Sequence, residues 1–132
     1  MPKEIIHSKG APKPIAPYSH GTIGGGFVFI SGQGPTDPTT GITPTNVKEQ
    51  ARQVMLNIKT ILESAGGNMD DIVKCTVLLR NMNDYKEVNE VYGTFFKQGQ
   101  APARTCCQAA LPRGYSQLVE IEAIAYIGEK SK

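Results

Sequence analysis

From Asn46 onward, apolar residues return every three or four positions: Val47, Ala51, Val54, Met55, Ile58, Ile61, Leu62 and Ala65. That period places them on one face of an α-helix. Asn46 with Glu49 three residues on has the form of a capping box, and Gly66-Gly67 ends the run. A second helix is predicted after Asn83 or Asp84, either of which can cap it, with Tyr85, Val88, Val91, Tyr92, Phe95 and Phe96 as its apolar stripe and Gly99 and Pro102 as its stop. Elsewhere the period shortens to two. Asp71 to Arg80 alternates, with Val73, Cys75, Val77 and Leu79 on one side and Lys74, Thr76 and Arg80 among those on the other, which predicts a strand. After a turn at Gly24-Gly25-Gly26, the short run Phe27-Val28-Phe29-Ile30 reads as a buried strand that stops at Ser31-Gly32. Two more strands are predicted, about Arg104 to Leu111 and Gln117 to Ile127, joined by the turn Pro112-Arg113-Gly114.

Proline and glycine punctuate the rest. Ala11 to Gly21 reads as an extended arm around Tyr18, and Pro35 to Pro44 as a loop too rich in proline for a central strand or helix. Strands and helices in this order predict a single α+β domain over residues 1–132, a two-layer sheet with strand–helix–strand crossovers. Two helices cover only one face of such a sheet. In the last strand Val119, Ile121, Ala123 and Ala125 suit the helix side, which leaves Glu120, Glu122, Ile124 and Tyr126 on the other face; Arg104, Cys106 and Gln108 share a face of the preceding strand. The expectation is that Arg104 and Glu120 face the same way. A surface mixing charge, thiol and large apolar groups is best buried against another copy of the chain, with a polar pocket at the seam.

Composition narrows the function classes. The 132 residues are 39% hydrophobic and 20% charged, as in an ordinary folded domain, and 14 Lys and Arg against 12 Asp and Glu leave a formal charge of only +2. That argues against strong electrostatic steering to nucleic acid. No apolar run is long enough to span a membrane, and the start MPKEIIHSKGAPKP lacks the apolar core of a signal peptide, so the expectation is a cytoplasmic protein with no membrane partner. Cys75, Cys106 and Cys107 are an odd set with two adjacent members, a poor basis for a disulfide or a zinc clip and consistent with reduced thiols.

Neither a phosphate-binding Gly-rich loop ending in Gly-Lys-Ser/Thr, nor G-x-G-x-x-G, nor G-x-S-x-G occurs. His7 and His20 lie in the arm without metal-ligand spacing; as a pair they could serve a ribonuclease, or simply be solvated. Cys106 is a conceivable nucleophile, although a strand cysteine is more often a small buried hydrophobe. Arg104 and Glu120 remain, with the backbone of Ser31-Gly32 at a strand end. Arginine grips a carboxylate through two parallel hydrogen bonds, and glutamate can polarise a water. From spacing alone an interfacial Arg–Glu ion pair stands at equal odds.

The motifs PYSHG, ISGQGP, EQARQVMLNIKTILESAG, DIVKCTVLL, VNEVYGTFF, PARTCC and VEIEAIA run in order through nearly the whole chain, which resembles the RidA/YjgF family in them. The resemblance implies a chorismate-mutase-like homotrimer with clefts at the subunit seams. It also implies a 2-iminobutanoate/2-iminopropanoate deaminase, which hydrolyses enamine and imino acids to 2-keto acids and ammonia with neither metal nor organic cofactor. On this basis Arg104 binds the substrate carboxylate and Glu120 activates water. Tyr18 is the aromatic cleft residue, Ser31 and Gly32 supply backbone contacts, Asn89 is the helix asparagine and Cys106 the cleft cysteine. Thr105 stands where serine is common, and Cys107 adds a second thiol. Other members of the family are described as translation-inhibiting endoribonucleases, chaperone-like proteins or metabolite sensors. A sensor could dispense with Glu120, so its presence favours the enzyme.

Overall fold

The computed structural model describes residues 3–128, so residues 1, 2 and 129–132 of the expected domain lie outside the described residues. Six strands form one sheet: β1 (Glu4–Ile6), β2 (Gly21–Gly24), β3 (Phe27–Gln33), β4 (Ile72–Leu79), β5 (Ala103–Gln108) and β6 (Val119–Tyr126). Their spatial order is β1-β2-β3-β6-β4-β5, with only β4 and β5 parallel. Two helices, α1 (Val47–Ser64) and α2 (Tyr85–Gly93), complete an α+β domain.

The α1 boundaries follow the sequence signals. Asn46 is extended and its side chain accepts the Glu49 N–H at 2.9 Å. At the other end the Gly67 N–H reaches the Leu62 carbonyl and Gly66 adopts φ +86°, the left-handed closure that glycine permits. Val54, Met55, Ile58, Ile61 and Leu62 are fully buried against Val28, Val77, Ile121 and Ala125. Helix α2 begins at Tyr85, one residue later than a cap at Asn83 requires, with Asp84 in the cap position. A 3-10 turn, Met82–Asp84, precedes it, and Asn81 caps that turn by accepting the Asn83 N–H, while Asp84 makes no capping bond. Phe95 and Phe96 pack on the core from beyond the end of α2.

Several expectations need correction. Two short strands flank the arm: β1 and β2 extend the sheet beyond β3, and the two-residue Gly25-Gly26 turn joins β2 to β3 with φ +59° and +86°. Strand β3 is buried on one face only, through Val28 and Ile30, while Phe27 and Phe29 are 39% and 46% exposed on the other. In β4 a register shift between Ile72 and Lys74 puts Ile72 rather than Val73 in the core.

The largest correction concerns the last two strands. They are not neighbours, because α2 carries the chain across so that β5 lies parallel to β4 at the sheet edge, and β6 inserts between β3 and β4. Arg104, Cys106 and Gln108 stand in register with Cys75, Val77 and Leu79, all buried beneath the helices. Glu120 and Glu122 stand in register with Leu78 and Thr76, which point the other way. Within one chain Arg104 and Glu120 therefore occupy opposite faces, with β4 between them.

Two half-sites on opposite faces

On the helix side, the edge position of β5 brings Arg104 under the first turns of α2. Its guanidinium lies 5.0 Å from the Tyr92 ring centre and 5.5 Å from that of Tyr85, and Nη2 donates to the Tyr85 hydroxyl at 3.1 Å. Stacking on two rings holds the fork in place without neutralising it. No carboxylate lies within ion-pair distance of Arg104 among the described residues. Asn89 sits four residues after Tyr85 and three before Tyr92, on the same stripe of α2.

The surroundings of Arg104 are otherwise apolar. Burial pushes the Cys75 thiol up from its ordinary 9.0, only partly opposed by Arg104, and pushes the Tyr92 phenol up as well. Among the described residues the Tyr92 hydroxyl has no hydrogen-bond partner of good geometry, although the Cys75 thiol lies beside it. Cys106 is half-buried, and burial raises its pKa too, with Arg104 pulling the other way. A thiol shifted upward is a poor nucleophile at neutral pH. Cys107 is exposed and, in register with Leu78, shares the face of Glu120.

The second half-site is a cleft of about 250 Å3 lined by Ile15, Ala16, Tyr18, Ser31, Gly32, Pro112, Arg113 and Glu120. Glu120 Oε1 accepts from the Gln117 side chain at 3.1 Å. Its Oε2 lies so close to Gly32 that a methyl group on that residue would sit 2.5 Å away. Glycine here is thus a matter of space for the carboxylate. Ser31 is spent on the scaffold: its hydroxyl donates to the Ser19 carbonyl at 2.6 Å, its N–H to the His20 carbonyl at 3.0 Å, and its own carbonyl accepts from Gln33 at 3.1 Å. These bonds pin the arm that carries Tyr18 alongside β3.

His20 secures the same arm. Its Nδ1 accepts the Ser8 N–H at 3.1 Å, and Nε2 lies 2.8 Å from the Pro12 carbonyl, the pattern of the tautomer protonated at Nε2. Both ring nitrogens are committed to main chain, whereas His7 is exposed. Arg80 braces the other wall, donating to the carbonyls of Leu111, Gly114 and Gln117 and so shaping the loop that presents Arg113.

The structure thus brings Tyr18, Ser31, Gly32 and Glu120 together, and separately Arg104, Cys106 and the α2 stripe bearing Asn89. It does not bring the two groups together. Sequence reasoning missed Arg113, Gln117, Tyr85 and Tyr92 as site residues: the tyrosines were legible only as core stripe, and the other two as turn and strand start. A larger groove of about 410 Å3, between the end of α1 and residues 94–97, holds no comparable chemistry. Its lysines already face carboxylates, Lys97 to Asp70 at 3.6 Å and Lys59 to Glu63 at 3.8 Å. Among the described residues no three His, Cys, Asp or Glu side chains cluster as a metal site, and no helix is long and apolar enough to cross a membrane.

Residues 8–127 match the family model described as Endoribonuclease L-PSP. A RutC family protein of Pyrococcus horikoshii is 49% identical over 126 residues, covering 94% of this chain and 98% of its own. The mouse protein named 2-iminobutanoate/2-iminopropanoate deaminase is 46% identical over 128 residues, covering 96% and 93%. The crystal structure of Escherichia coli TdcF with bound serine superimposes with a TM-score of 0.86 at 44% identity, covering 93% of this chain and 98% of that one.

Proposed function

The chain belongs to the Endoribonuclease L-PSP family, also called RidA/YjgF, and from that premise we propose that it hydrolyses small 2-imino acids to 2-keto acids and ammonia in a cleft shared between two copies. The observation that carries this reading is the pair of half-sites: a stacked, unneutralised arginine on one face and a carboxylate over a glycine on the other. Arginine without a base binds a carboxylate and leaves it unchanged; the Glu120 cleft has the base and, in Arg113, a cation in its wall, but no guanidinium fork held in place by stacked rings.

Packing the Glu120 face of one copy on the Arg104 edge of the next completes the cleft. Exposed apolar groups farther along the same sheet face favour such packing, since Ile5, Phe27, Phe29 and Tyr126 are all 39–49% exposed. Because the half-sites lie on opposite faces, the contact joins two different surfaces, and head-to-tail contacts of that kind form a ring when the rotation between copies closes. We take the ring to have three members, the number implied by the family resemblance.

In the completed cleft the guanidinium fork holds the substrate carboxylate, with Asn89 beside it on α2, and Tyr18 covers the bound molecule. The imine carbon then lies next to a water on Glu120. Glu120 takes a proton from the water as its oxygen bonds to the carbon of the protonated imine, giving a carbinolamine; that proton passes to the nitrogen, the C–N bond breaks as ammonia leaves, and the hydroxyl gives up its proton to become the keto-acid carbonyl. The C=N bond is electrophilic without help, so the thiols need form no covalent bond and no cofactor is called for. Both named thiols of the Arg104 half, Cys75 and Cys106, are pushed toward the protonated form, in keeping with packing roles.

The ribonuclease activity in the family description would draw on acid–base histidines, and nothing in this chain favours it: His20 is held at both nitrogens. The test is a coupled assay in which an amino-acid oxidase generates 2-iminopropanoate and semicarbazide competes for it. Acceleration of pyruvate formation is the expected result. No acceleration by well-folded protein, with RNA cleavage that disappears in His20→Ala, contradicts the reading.

A further inference from the structure

Gln117 is 1% exposed, one of few buried polar side chains, and every polar atom of its amide is used. Its Oε1 accepts the Arg113 N–H at 3.0 Å, and its Nε2 donates to the Val119 carbonyl at 3.2 Å and to Glu120 Oε1 at 3.1 Å. The amide cannot flip, because reversal would set its oxygen against two acceptors and its NH2 against a donor. One Glu120 oxygen is thus occupied by a donor whose own place is fixed by main chain on both sides of it. The other, Oε2, lies against Gly32 and accepts no hydrogen bond among the described residues.

From this arrangement we infer that Gln117 is the positioning residue of Glu120, capping Oε1 so that Oε2 alone faces the cleft as the proton acceptor. The inference rests on the imine-hydrolase reading for the word acceptor, but the geometry it describes exists without substrate. Gln117 acts through Glu120 and touches no reacting atom. A single acceptor oxygen at a set position matters because proton transfer tolerates little misplacement. A hydrogen bond donated to a carboxylate also favours its charged form, which is the form that can act as base. The other titratable or charged groups on this side are Arg113 from the loop, Arg80 on the Gln117 carbonyl, Tyr18 from the arm, Cys107 of β5, and Glu122, Tyr126 and Lys74 along the sheet face; none of them is hydrogen-bonded to Glu120.

Two substitutions test it on the assembled protein. Gln117→Met keeps length and volume but removes the donor, and kcat should fall about tenfold, the worth of one hydrogen bond to a charged group, with 2-ketobutyrate affinity unchanged. Gln117→Glu keeps the acceptor for the Arg113 N–H. Its new carboxyl and Glu120 then share a proton at lower pH, restoring the donor, so activity relative to wild type should recover as pH falls. A merely structural role predicts a deficit that is the same at every pH. Carboxyl 13C NMR of Glu120 at one fixed pH, assigned with Glu120→Gln, provides a readout without turnover: its signal should shift in Gln117→Met as the hydrogen bond to Oε1 is lost. If wild type hydrolyses no imine but the signal moves, the functional reading fails and the positioning role stands. An unmoved signal with full kcat in Gln117→Met, or a pH-independent deficit in Gln117→Glu, overturns the inference. Should Gln117→Met not assemble, Gln117→Glu decides alone.

Discussion

Among the described residues Arg104 has no carboxylate partner, and two tyrosine rings hold it in place, which is what the proposed carboxylate-binding role requires. Arg104→Lys keeps the charge but loses the planar fork and much of the stacking, so 2-ketobutyrate binding should weaken at least about tenfold while assembly persists. Calorimetry and light scattering on the same sample check this; unchanged affinity would remove Arg104 from the site. The buried thiol beneath it makes a second prediction. Burial raises the folded-state pKa of Cys75 above its ordinary 9.0, so with rising pH the unfolded chain loses that proton first. The stability it contributes is full below about pH 9 and is lost as pH climbs toward the folded value. Thermal midpoints should fall above that pH, and fall less steeply in Cys75→Ala. At this scale the sequence showed Arg104, Glu120 and Tyr18 through residue type and family motif. Gln117 was not legible, since its role depends on the path of the loop after Gly114 and on the Arg113 N–H that the loop presents.

At the scale of elements, legibility followed periodicity. Helix α1 carried three agreeing signals, an Asn46 cap, a 3.6-residue stripe and a glycine stop, and its observed ends match them. Asn46→Ala should cost about 1 kcal/mol in thermal or denaturant unfolding, the usual worth of such a cap. Strands β1 and β2 were hidden because three or four residues with proline-rich and glycine-rich neighbours have no measurable alternation. Strand order was hidden for a different reason. A turn between two predicted strands suggests a hairpin, yet parallel pairing of β5 with β4 leaves the better-buried central place to β6, whose inner row is Val119, Ile121, Ala123 and Ala125. That exchange sent Arg104 and Glu120 to opposite faces. The β3 irregularity at Ser31-Gly32 serves the Glu120 half. Gly32→Ala would place a methyl 2.5 Å from Oε2 and 3.1 Å from Cδ, displacing the carboxylate. Its kcat should drop while keto-acid binding through Arg104 survives; full turnover would mean that the close approach has no bearing on catalysis.

At the scale of the whole molecule the proposed reaction requires more than one chain. The helix side of one chain closes around a continuous core, but the opposite face carries Phe27, Phe29, Ile5 and Tyr126 as well as Glu120 and Glu122, an arrangement suited to covering by protein rather than water. Light scattering should return three times the 14.3 kDa chain mass, and a monomer at micromolar concentration would leave both half-sites open to bulk water, where charge recognition is weak. The most direct test of a site shared between copies uses two crippled variants together. Arg104→Ala and Glu120→Gln should each be nearly inactive in 2-iminopropanoate hydrolysis. After mixing, dissociation and reassembly, about a quarter of wild-type activity should return, because that share of head-to-tail contacts pairs an intact Arg104 with an intact Glu120. Activity that stays at the sum of the separate variants in verified mixed assemblies would contradict the account.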